Sequence, residues 1–250
     1  MFATRITYSA LFGFSFFISH DTFSQISSLP KWEAGINLSA YIYQGDLTPH
    51  RFGSVETITP GFGISGTRII NRSFSARLMF NMTRLVADES IYDHPDWRKQ
   101  RNFSSTTSVK ELTVSVHWNI FGTNYDEVRY EPYVFAGAGV SFINVSRNYS
   151  RVNYTYFGEQ SDMQAGLLRD VATPMPRAIP VVPVGAGVRY HISNSFVLNL
   201  EGSYRLLRID YLDGFSQSAN PKLKDHYSSL SVGISYKFGK KEKYGCPSVN

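Results

Sequence analysis

The chain has 250 residues, a formal net charge of +5 and a mean hydropathy of −0.20, and is 18% charged and 15% aromatic. That balance suits one β domain, and no apolar run approaches the ~18 residues a membrane helix needs. Its single cysteine, Cys246, allows no internal disulfide, which counts against a small secreted domain held by cross-links.

Residues 1–24 read as an export signal. Arg5 supplies the positive start, Ile6–Ser19 the apolar stretch and Thr22-Phe23-Ser24 the cleavage site. No cysteine follows the apolar stretch, so this is not a lipoprotein signal. A linker over 25–31 comes next.

From Trp32 the chain alternates. Trp32, Ala34, Ile36, Leu38, Ala40 and Ile42 share one face, and Glu33, Gly35, Asn37, Ser39, Tyr41 and Tyr43 the other. The pattern recurs over Thr57–Ile69, Phe74–Val86, Ser108–Ile120, Pro132–Val145, Ile179–Ile192, Phe196–Ile209 and Tyr227–Phe238. These eight segments are near the ~9–11 residues that cross a bilayer when tilted. The connections alternate in length. Gln44–Glu56, Ala87–Thr107, Ser146–Ala178 and Asp210–His226 are long, Ile70–Ser73 and Ser193–Ser195 tight, and Phe121–Glu131 intermediate. The third long connection is expected to hold a short helix near Ser161–Leu168.

The polar faces carry Glu33, Arg77, Glu111, Arg189, Glu201, Arg205 and Lys237, with His117 and His191. The apolar faces end in aromatics: Trp32, Phe74, Trp118, Phe196, Tyr236 and Phe238. A soluble barrel would turn the apolar faces inward, but this explains neither the export signal nor the aromatic ends. The expected fold is therefore all-β: a single up-and-down antiparallel transmembrane barrel of about eight strands over 32–238, OmpA/OmpX-like in architecture. Its aromatics should form girdles at the two bilayer interfaces, and its lumen charges should pair. Arg189 is the expected partner of Glu201, because the Ser193–Ser195 turn joins their strands. A basic tail over 239–250, with Lys240, Lys241 and Lys243, suits a solvated end or a docking site equally.

Signs of chemistry are sparse. Ser115 and His117 share the lumen face, but no third orienting group is identifiable for a hydrolase. The two copies of "GAGV", Gly137–Val140 and Gly185–Val188, sit mid-strand, where glycine makes room rather than cradling a nucleotide. Asp210 and Asp213 are weak grounds for a cation site. No catalytic residue, metal, cofactor or nucleic acid is expected.

Several stretches carry a family resemblance: "YQGDL" (Tyr43–Leu47), "PYVFAGAGV" (Pro132–Val140), "PVGAGVRYHISNSFVLNLEGSYR" (Pro183–Arg205), "DYLD" (Asp210–Asp213) and "SVGISYKFGKKEKYGCP" (Ser231–Pro247). In this order they resemble a Bacteroidota family of small outer-membrane β-barrels that includes PorG of the type IX secretion system. The resemblance implies a non-enzymatic outer-membrane component that ties periplasmic secretion-ring proteins to the membrane, with both termini periplasmic. It carries over no catalytic residue. A surface-binding barrel gripping a ligand with its long loops is the competing reading.

Overall fold

The computed structural model describes residues 31–50, 52–126, 128–158, 161–209, 211–220 and 224–238. The export signal, nearly all of the linker and the tail with Lys240, Lys241, Lys243 and Cys246 lie outside the described residues.

Eight strands close into one antiparallel barrel in chain order: β1 (Trp32–Gln44), β2 (Thr59–Ile69), β3 (Phe74–Asp88), β4 (Ser104–Asn119), β5 (Tyr130–Asn148), β6 (Ala178–His191), β7 (Phe196–Leu206) and β8 (His226–Phe238). β1 pairs with β8 from Trp32↔Phe238 to Gln44↔His226, so no strand edge is left open. Connections 70–73, 120–129 and 192–195 lie at one end with the start of β1 and the finish of β8. Short polar side chains shape them: the Asn71 Oδ1 accepts from the Ser73 and Phe74 amides, and the Ser193 Oγ from those of Ser195 and Phe196. The other four connections, 45–58, 89–103, 149–177 and 207–225, gather at the opposite end. They contain α1 (Trp97–Arg101), α2 (Tyr154–Phe157) and α3 (Asp162–Ala172), the last capped by the Ser161 side chain.

The alternation resolves into an inside-out barrel. Ile36, Leu38, Leu78, Val114 and Leu230 point outward and are 52–70% exposed. Along β3 the outward apolar run Phe74–Met82 is about 27 Å long, or about 20 Å along the barrel axis once tilted. Beyond it the chemistry of the two faces swaps while the alternation continues. Arg84, Lys110, Asn144 and Ser228 face out, and Leu85, Val109, Ile143 and Tyr227 face in. The long-loop end of the barrel thus has the polarity of a water-soluble protein. Its core is apolar: Leu85, Phe103, Val109, Ile143, Leu212 and Phe215 pack with Tyr43 and Tyr227. β4 begins at Ser104 and β5 runs to Asn148, past the expected Ser108 and Val145. The overshoot is polar on its outer face, which hides it from a search for one apolar face.

The aromatics depart from the expectation of two girdles. Trp32, Phe74, Trp118, Phe196, Tyr236 and Phe238 all lie at the short-turn end, joined by the pairs Trp32↔Phe238, Phe74↔Trp118 and Phe196↔Tyr236. The cause is strand polarity: each is the first residue of an upward strand or among the last of a downward one. Tyr130, paired with Tyr190 at 5.1 Å between ring centroids, extends the same girdle.

Candidate functional site

Glu33, Arg77, Glu111, Arg189, Glu201 and Arg205 all sit buried in the lumen. Arg189 does not meet Glu201. The β6–β7 register sets Gly187 opposite Glu201 and Arg189 opposite Asn199, one pleat nearer the short turns. Glu201 instead pairs across the lumen with Arg77 of β3 at 2.6 Å and accepts the Tyr133 hydroxyl at 2.7 Å. Arg189 reaches Glu33 at 2.5 Å and Glu131 at 3.4 Å. Arg205 lies beside the Tyr41 and Tyr227 rings, 5.3 and 5.7 Å from their centroids, and reaches Glu111 at 3.4 Å. Arg189 and Glu131 face each other on the adjacent strands β5 and β6, whereas the other three pairs join strands three or four apart around the barrel, because the lumen is narrow enough for long side chains to span it. Glu131, which also contacts His191 at 3.0 Å, escaped the sequence reading. It lies one residue before the assigned start of its strand, although it shares the alternation of Tyr133 and Phe135.

The glycines of the two "GAGV" copies make room as expected. Tyr133 lies opposite Gly187 and Phe135 opposite Gly185. A Cβ at Gly187 would stand 2.5 Å from the Tyr133 Oη, and one at Gly185 2.6 Å from the Phe135 ring. Ser115 and His117 are 2.9 Å apart, but the imidazole is stacked on Phe135 in a filled lumen. The lumen cavities beside Arg77 measure about 20 and 10 Å³.

Above the polar lumen the described parts of the long loops form a hydrogen-bonded cap. Glu89, fully buried, accepts from Arg98 at 3.1 Å, from Arg101 at 2.5 and 2.9 Å, and from the Phe103 amide at 3.2 Å. Arg101 also donates to the Ser218 carbonyl, and Arg98 to those of Asp46 and Thr48, so one carboxylate organises three loops. Asp170 of α3 gathers the amides of Ser216, Gln217 and Ser218 at 2.9–3.2 Å. Beneath it the Tyr43 hydroxyl lies 2.7 Å from Asp213 and 2.6 Å from Asp225. One hydroxyl carries one proton, so a carboxyl proton completes the second bond. Burial, reinforced by Asp213, holds Asp225 well above the carboxylate range. Asp210 lies outside the described residues, and no cluster of metal-ligand type occurs among the described residues.

A family model described as a domain of unknown function, DUF6089, matches residues 8–246. The chain belongs to the DUF6089 family. No curated protein is detectably similar to it. Among solved structures, the DUF6089 barrel is similar to the attachment invasion locus protein Ail of Yersinia pestis, with 15% identity over 85% of this chain and 100% of that one and a TM-score of 0.46. It is also similar to Neisserial surface protein A, with 15% identity, coverages of 83% and 97% and a TM-score of 0.47. The outer membrane protein OprG of Pseudomonas aeruginosa matches at 11% identity, coverages of 86% and 98% and a TM-score of 0.46.

Among the described residues the DUF6089 barrel is filled at both levels. Paired charges and aromatic rings fill the lumen nearer the short turns, and an apolar core fills the mouth. What it leaves for contact is its outer wall, its cap and its short-turn end.

Proposed function

We propose that this protein is an integral outer-membrane barrel of a bacterial envelope and a non-enzymatic structural component of protein secretion. The observation that carries the reading is the inside-out wall around a filled lumen. An apolar belt around the whole circumference is a lipid-facing surface, and a plugged interior leaves anchoring as its mechanical role. The short-turn end and both termini face the periplasm in this reading, and the cap faces outward. The resemblance to the barrels that include the type IX secretion component PorG supports a partner among periplasmic ring proteins, docked on the short turns or the tail.

The test is affinity purification of the tagged full chain from mildly solubilised outer membranes after cross-linking in cells. Recovery of periplasmic secretion-ring proteins supports the reading. An inserted, heat-modifiable barrel that recovers none of them contradicts the scaffold role.

A further inference from the structure

A hollow of about 570 Å³ lies on the outer wall, bordered by β1, β2 and β8 and reaching Phe80 of β3, Leu112 of β4 and Phe196 of β7. The register explains its shape. At the short-turn rim Trp32 stands opposite Arg68 and Phe238. One pleat deeper, Ala34 stands opposite Gly66, flanked by Tyr236 and Leu78. The next pleat sets Ile36 opposite Ile64. Two small residues side by side thus floor a depression walled by large apolar ones. The fold does not require the glycine: a Cβ on Gly66 would meet nothing within 4 Å, and its backbone is not left-handed.

Directly below the floor, Arg68 points outward from the same strand, its guanidinium 5.3 Å from the Trp32 ring centroid. Among the described residues no carboxylate lies within ion-pairing distance of it. A cation on a lipid-facing wall is stabilised by an anion at the same depth, and cation–π contact holds this one at the rim. An apolar trough with one cation at its interfacial end matches a lipid with a phosphate head.

We propose that the hollow binds one phospholipid of the leaflet at the short-turn end. One acyl chain lies on Ala34 and Gly66, and the phosphate pairs with Arg68. The proposal rests on the membrane reading above.

Native mass spectrometry of the detergent-extracted full chain, titrated with palmitoyl-oleoyl phosphatidylglycerol, tests it. The wild type is expected to hold one phospholipid through detergent exchange. Gly66→Leu, which raises a side chain from the floor where a Cβ meets nothing within 4 Å, and Arg68→Gln should each lower its retention at least tenfold. Arg84→Gln, an outward cation at the opposite rim, should not. Unchanged retention in both Gly66→Leu and Arg68→Gln overturns the proposal, as does a wild type that retains no lipid. A wild-type dimer that Gly66→Leu turns into a monomer, with bound lipid unaltered, assigns the hollow to a second copy and also overturns it. Lost lipid binding with normal insertion into vesicles leaves the membrane reading intact, whereas failure of the wild type to insert removes both.

Discussion

Glu201 shows how much a single lumen charge matters here. It neutralises Arg77 and receives the Tyr133 hydroxyl in a space that water barely enters. Glu201→Leu should cost about 3–5 kcal/mol, because a buried guanidinium is left unpaired. Arg77→Leu combined with Glu201→Leu should recover most of that loss, since the pair leaves together. Urea titration of the barrel in vesicles, read by heat-modifiability on a gel, measures both; equal losses in the single and double variants would contradict the pairing. The glycines are as demanding. Gly187→Val would drive its side chain into the Tyr133 ring and within 2.7 Å of the Leu200 carbonyl at its Cβ alone. A loss of about 1–3 kcal/mol is expected in the same titration. That the six charges lie inward is legible from alternation with a period of two. Their pairing is not, because β3 meets β7 only through closure, which no local pattern encodes.

Among the elements, the strands were legible and the cap was not. Each strand repeats one rule over about ten residues. The cap depends on single buried residues such as Glu89 and Asp170, set in stretches that read as polar loop. Glu89→Ala leaves Arg98 and Arg101 without their shared carboxylate. It should open the loops to protease while the barrel stays heat-modifiable; protease resistance equal to wild type would contradict the role given to Glu89. Asp225 makes the cap pH-dependent. Its pKa is raised in the folded state, so its contribution is complete below the ordinary value of 3.8 and fades as pH rises through the raised value. Exchange protection of the Leu212 amide, which donates to Asp225, should therefore fall from acid to alkaline pH after correction for intrinsic rates. Asp225→Asn should flatten that dependence, and an equally steep profile in the variant would contradict it. The helix α3 was the one legible part of the cap, since Ser161 before an amphipathic stretch is a capping signal.

At the scale of the whole molecule, two opposite polarities meet in one barrel. Towards the short turns the wall is apolar outside and charged inside; towards the cap it is polar outside and apolar inside. The change falls at Arg84, Lys110, Asn144 and Ser228 on four strands, and in the proposed membrane reading this level is the bilayer boundary. The filled lumen predicts no stable conductance in planar bilayers, and steady single-channel steps would contradict the seal. In the proposed membrane reading the outward face of β4 touches lipid. Nitroxide labels placed singly from Glu111 to Trp118, with the barrel in phospholipid bilayers, test it through collisions with oxygen and with a water-soluble nickel chelate. Labels at Leu112, Val114 and Val116 should be open to oxygen and shielded from nickel, alternating with protected positions at Thr113 and Ser115. Free collision of nickel with the label at Val114 would place that face in water and contradict the account.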